Sequence, residues 1–148
     1  MASSIRSSVL IRFLVLLALS LAGGARAGSF EALLQQGAHL RQQGQLHSSI
    51  EALERAAALA AGDAQRRRAA GELGTSLLQA RRLEAAQIQL RKAHELAPAT
   101  ERPDHALSLG NLGLLRKQEG AARQAYEEAQ ASAQPFVRFS ARLRSEER

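Results

Sequence analysis

The chain has 148 residues, no cysteine and few aromatics, and a formal net charge of +6. Its abundance of alanine, leucine and glutamine, good helix formers and poor strand formers, points to one helical domain, and the absence of cysteine excludes a disulfide framework. The charge is not a nucleic-acid signal: Arg6, Arg12 and Arg26 lie in the first 27 residues, which hold no acid, and the net beyond them is an ordinary +3.

The N-terminus reads as an export signal. Arg6 and Arg12 precede an apolar run from Phe13 to Ala22, and Ala25-Arg26-Ala27 supplies the small-x-small pattern that signal peptidase requires, so residues 1–27 are expected to be removed after Ala27. The alternative is an uncleaved anchor, but Gly23-Gly24 and Arg26 cut the apolar run short of the ~20 residues a spanning helix needs. A lipoprotein anchor would require a cysteine after the cleavage point. The mature chain is therefore expected to be periplasmic or secreted, with no stable membrane insertion. Heavy use of Arg over Lys, with Ala, Gly and Leu, is the composition of a GC-rich genome and points to a bacterial source.

From Phe30 to Asp63, Leu33 and Leu40 flank Gly37 on one helix and Gly44 marks a turn. Leu46, Ile50, Leu53, Ala56 and Leu59 follow on a second helix, which Gly62-Asp63 ends. The next stretch is the sharpest in the chain: Leu73-Gly74, Leu77, Leu83, Ala86, Leu90, Ala93, Leu96 and Pro98. This order resembles the tetratricopeptide repeat (TPR), whose first helix carries Leu-Gly and then a large residue. Its second helix carries small, large and small residues and a closing proline. With Gly74 at the eighth position of that repeat, units fall at about 30–63, 67–100 and 104–134, and the eighth-position glycines are Gly37, Gly74 and Gly113. Ser49 and Ala61 depart from the family's alanine and proline, and both are small enough for the helices to cross closely.

In the third unit the second helix fits two registers. Gly120 can fix the turn, which puts Ala129 in a large-residue slot. Alternatively, about three residues are missing from the turn, so that Ala122, Tyr126 and Ala129 fill the small, large and small slots, and this register is preferred. The glycine spacings of 37 and 39 place extra connector residues at 64–66 and 101–105. Residues 135–148 read as a capping helix or tail that buries a stripe of Phe136, Phe139 and Leu143.

The expected fold is all-α: antiparallel helix pairs stacked as a short right-handed solenoid of TPR type over 28–134, with the C-terminal helix as its cap. Gly37, Ala56, Gly74, Ala86, Ala93, Gly113 and Ala129 would be the close-packing positions. The resemblance implies binding in a concave groove lined by the first helix of each pair. Carried over by register, the groove takes Glu31, Leu34, Ala38 and Arg41 from unit one and Arg68, Gly71, Glu72, Thr75 and Gln79 from unit two. Unit three contributes Leu107, Gly110, Asn111, Leu114 and Gln118. Of the polar members, Arg41, Arg68, Glu72, Thr75, Gln79, Asn111 and Gln118 are taken as the candidate site. The carboxylate clamp of chaperone-binding TPR proteins is absent, because Leu34 and Ala38 occupy two of its positions.

Catalysis finds no support. His39, His47, His94 and His105 form no metal-ligand spacing, the acid pairs lie among arginines, and the glycines serve crossings and turns, so no cofactor, metal or catalytic residue is expected. Arg66-Arg67-Arg68 and Arg81-Arg82 read as a solvated connector and a turn. Nucleic acid is not expected as a partner, since stacking aromatics are scarce. The preferred function is a non-enzymatic, exported scaffold that binds a peptide or partner protein. The alternative is the repeat portion, or a non-catalytic subunit, of a larger secreted peptidase-like or envelope-assembly complex. Three units are near the minimum for stability, so added stability is expected from the C-terminal cap, from self-association as a homo-oligomer, or from a partner.

Overall fold

A computed structural model describes residues 29–146; residues 1–27, where the sequence leads one to expect an export signal, lie outside them. The described residues form seven helices and no strand: α1 (29–42), α2 (Leu46–Leu59), α3 (Asp63–Gln79), α4 (Leu83–Glu95), α5 (Arg102–Leu115), α6 (Glu119–Ala129) and α7 (Pro135–Glu146). They make an all-α array in which α1/α2, α3/α4 and α5/α6 are pairs, each stacked on the next, with α7 packed on α6 and α5.

Each pair is built on the same turn. The first helix ends at a residue in the left-handed region, Gly44 (φ 77°), Arg81 (φ 59°) or Lys117 (φ 57°). The amide that follows it donates to a carbonyl five residues back: Gln45 to Leu40 at 2.9 Å, Arg82 to Leu77 at 2.9 Å and Gln118 to Gly113 at 2.8 Å. This closing bond satisfies carbonyls that the helix end would otherwise orphan and reverses the chain, so that the second helix runs back along the first. Only the first turn uses glycine; the other two hold an L side chain in a conformation that costs it about 1 kcal/mol.

The crossings explain the glycines. A Cβ on Gly37 would lie 2.6 Å from Leu53 Cδ2, and one on Gly74 would lie 2.7 Å from Leu90 Cδ2. Each leucine is sixteen residues after its glycine and is buried, so the missing side chain lets the second helix insert its large anchor against the first helix's backbone. In the third pair the residue in that relation to Tyr126 is Gly110, where a Cβ would come within 2.6 Å of the ring's Cδ1. The left-handed turn at Lys117 falls seven residues after Gly110, as Gly44 follows Gly37 and Arg81 follows Gly74.

The third register therefore shifts by one helical turn. Gly110 takes the place expected for Gly113, and the unit spacings are 37 and 36 rather than 37 and 39. Gly113 is still a crossing glycine, one turn further along, where a Cβ would meet the Ala122 backbone at 3.0 Å. Two Leu-Gly pairs, 109-110 and 112-113, stand on one helix face, and the turn after them lacks a glycine; Gly120 lies inside α6 instead. Ala122, Tyr126 and Ala129 are all buried.

Two hydrophobic clusters hold the array. The first joins α1 to α4 through Phe30, Leu53, Leu73, Leu77 and Leu90 and reaches α5 at Leu112. The second consists of Tyr126 and Val137 among Ala106, Ala122, Ala129 and Ala141, with Leu107 and Leu114 packed at its edge, so among the described residues Tyr126 is its only large fully buried side chain. Large anchors supply most of the apolar area that burial removes from water, which makes the third pair the more lightly held.

Two further expectations are corrected. Residues 64–66 and 102–105 are not connectors, for α3 begins at Asp63 and α5 at Arg102; Pro103 stands in α5's first turn, where its missing N–H costs nothing. On α7, Val137 and Ala141 are buried, whereas Phe136, Phe139 and Leu143 are 74%, 63% and 45% exposed. The inward residues are the small ones, because α7 rests on Ala129 and Ala122, where a close approach leaves no space for phenyl rings.

Candidate functional site

Helices α1, α3 and α5, the first of each pair, share one face of the array. Between them lies a concavity of about 300 Å³ whose walls are Leu34, Arg68, Glu72, Thr75, Asp104, His105 and Ser108, with Gly71 and Leu90 at its floor. Gly71 keeps the floor open: a Cβ there would make only ordinary contacts, with His105 Cε1 at 3.5 Å and Ala93 Cβ at 3.8 Å.

The charges on this face are paired across helices. Arg68 on α3 donates to both carboxylate oxygens of Glu31 on α1, at 2.5 and 2.9 Å, and its guanidinium lies 5.8 Å from the centroid of the buried Phe30 ring. Hydrogen bonding to Arg68 holds the Glu31 carboxyl below its ordinary range, and Glu31 in turn raises Arg68. Arg41 on α1 pairs with the Glu72 carboxylate at 2.6 Å and donates to its carbonyl at 3.2 Å. Arg67 pairs with Glu101, and Arg66 with Asp63 at 3.2 Å. Arg67 and Arg68 thus tie α3 to Glu101 and to α1, while Arg66 pairs within α3 itself, so the triple arginine belongs to the helix and is not a solvated connector.

Below Arg41 a polar link runs between the first two pairs. Ser49, fully buried, donates to the Gly37 carbonyl at 2.7 Å and meets the equally buried Ser76 hydroxyl at 2.9 Å, which also receives Arg41 at 3.4 Å. Serine at position 49 therefore adds a hydrogen bond at the crossing, where alanine would give only close contact.

Of the predicted groove residues, Arg68, Glu72 and Thr75 line the concavity, and the Thr75 hydroxyl donates to the Gly71 carbonyl at 2.9 Å. Arg41 extends the same surface through its bond to Glu72. Gln79 is exposed at the end of α3. Asn111 is half-buried and accepts the Tyr126 hydroxyl at 3.0 Å, which fixes the ring that packs on Gly110. Two residues lie elsewhere. Gly110 is buried under Tyr126, and Gln118 lies past the end of α5, in a separate hollow between α4, α5 and α6 with Gln87, Arg91, His94 and Gln124.

Sequence reasoning missed Asp104, His105 and Ser108. With Gly110 as the reference glycine, Asp104 is the counterpart of Glu31 and Arg68, and Ser108 that of Glu72, so the corrected register would have placed both in the groove. Asp104 is held from the far side by the Ser132 hydroxyl and, at 2.7 Å, by the Gln134 amide. The His105 imidazole is pushed below its ordinary value, first by burial and then by Arg67, so it stands in the groove as a neutral ring near neutral pH. Among the described residues no three His, Asp or Glu side chains gather as a metal-binding group, and no helix is long and apolar enough to cross a membrane.

A scan against protein-family models finds no match for this chain, and a search of curated proteins finds no similar sequence.

Proposed function

We propose that this chain is an exported, non-enzymatic scaffold of TPR type that holds an extended segment of another protein across α1, α3 and α5. The observation that carries this reading is the shared concavity. Three successive first helices contribute to one open trough of mixed polar and apolar lining whose floor is kept clear by a glycine mid-helix, where alanine would be the more stable choice.

The chemistry of the walls favours one class of ligand over another. Arg68 and Glu72 are already paired with Glu31 and Arg41, so a charged ligand would have to displace an existing partner. A neutral segment would instead meet Thr75, His105 and Ser108 over Gly71, a surface suited to peptide amides and small side chains. Binding of this kind draws on hydrogen bonds and shape rather than on a carboxylate clamp.

The test is affinity capture from the exported fraction of the source cell, comparing the native chain with Thr75→Trp, which fills the trough. Capture of a defined protein by the native chain, lost in the variant while the helical circular-dichroism spectrum is unchanged, supports the proposal. Equal capture by both refutes it. Recovery of a hydrolase or an envelope assembly as the captured protein would favour the subunit reading.

A further inference from the structure

We infer that the outward face of α7 is a peripheral docking surface for an anionic lipid bilayer. Phe136, Phe139 and Leu143 recur at i, i+3 and i+7, which sets them on one side of the helix, and all three are exposed, while Val137 and Ala141 on the opposite side are buried against the array. No described element covers that outer face: α7 packs on α6 and α5 alone. Two adjacent phenyl rings at 74% and 63% exposure are an unusual concentration in a chain that has four phenylalanines in all.

Charge selects the occupant. Arginines 138, 142 and 144 border the apolar stripe, no acid falls between residues 135 and 145, and the whole segment 135–148 carries four arginines against two glutamates. Arg138, Arg142, Phe139, Pro135 and Gln130 surround a shallow hollow in which guanidinium groups stand beside a phenyl ring. That is the chemistry of the bilayer interface: phosphate oxygens at the level of the arginines, and acyl chain beneath them for the rings. A second copy of this chain fits less well, because a twofold pairing of α7 on α7 would set two arginine-bordered faces against each other.

The chain has no cysteine, so Leu143→Cys provides a single site for an environment-sensitive fluorophore while leaving both phenylalanines in place. The full-length labelled protein is titrated with vesicles of phosphatidylglycerol and phosphatidylcholine and with vesicles of phosphatidylcholine alone. The expected result is a blue shift and a several-fold gain in emission on the anionic vesicles, reversed by high salt. In the Arg138→Gln, Arg142→Gln, Arg144→Gln background the half-saturating lipid concentration should rise about 100-fold, at about five-fold per arginine. The same label at Ile88→Cys, an exposed position on α4, should stay in water. This readout is local, so attachment through the N-terminal apolar stretch alone would not move the signal at position 143. No anionic-lipid response at 143, an equal response at 88, or insensitivity to the arginine substitutions overturns the inference. So does a shift that grows with protein concentration without vesicles, which would assign the face to a second copy.

Discussion

Replacing Gly74 by alanine tests the close crossing directly, with Gly71→Ala as its internal control on the same helix. Both substitutions bring the same gain in helix propensity, about 1 kcal/mol. At Gly74 the new methyl would lie 2.7 and 2.8 Å from Leu90 Cδ2 and Cγ and 3.1 Å from the Leu90 backbone nitrogen. Leu90 is 1% exposed and cannot swing away, so the clash forces α3 and α4 apart. Overpacking of this kind costs about 1–3 kcal/mol, which makes Gly74→Ala a net loss of about 1 kcal/mol. At Gly71 the nearest atoms lie 3.5 Å or more away, and alanine should stabilise by up to about 1 kcal/mol. One substitution made one helical turn apart thus gives opposite signs. Urea denaturation should move the midpoint down for the first and up for the second, by about 0.5 M each at a typical slope. Leu90→Ala opens the site, so in its background Gly74→Ala should become stabilising. If Gly71→Ala and Gly74→Ala shift the midpoint in the same direction and by similar amounts, propensity alone governs and the crossing proposed here does not exist.

Lys117→Gly relieves the left-handed strain at the third turn and should stabilise by about 1 kcal/mol, raising the melting temperature by about 4 °C. His105 has a depressed pKa in the fold, so the native state binds fewer protons than the unfolded chain. Its contribution is full above the unfolded value of 6.5 and is lost as pH falls through the folded value. Arg67, Asp104 and His94 act on the same imidazole, and His105→Gln should flatten the dependence of the urea midpoint between about pH 7.5 and 5. Val137→Ser should lower the unfolding free energy by about 1–3 kcal/mol through loss of buried packing, whereas Phe139→Ser, on the exposed face of α7, should leave it within about 0.5 kcal/mol. The reverse order would mean that α7 is rotated.

Much of the architecture was legible because the second unit fills its slots in order. Leu73-Gly74, Leu90 and Ala93 fix a helix pair from local periodicity, and the first unit repeats the pattern from Gly37 to Ala56. The third unit was misaligned by one helical turn because glycines 110 and 113 both serve a crossing and a lysine occupies the turn position that glycine marks in the first unit. A sequence displays glycine as a turn signal, but the left-handed conformation of Lys117 is imposed by the helices on either side of it. That misalignment hid Asp104 and Ser108 from the groove and placed Gln118 in it. On α7 the apolar residues were identified, but hydrophobicity alone assigned the phenylalanines to the inside. The partner helix decides otherwise, since its alanine surface admits Val137 and Ala141 at close range and leaves the larger rings to solvent. The buried link between Ser49 and Ser76 joins residues 27 apart in sequence, which no local pattern could reveal.

The most direct test of the groove is site-specific photo-crosslinking in the source cell, with a compact aliphatic diazirine amino acid, small enough to leave the trough open, placed at Thr75 in the trough or at Ile88 on the exposed surface of α4. Crosslinking of one defined protein from position 75 and not from 88 is the predicted result. A defined adduct from 88 with none from 75 would contradict the account, because it would place the partner on α4 and leave the trough between α1, α3 and α5 unused.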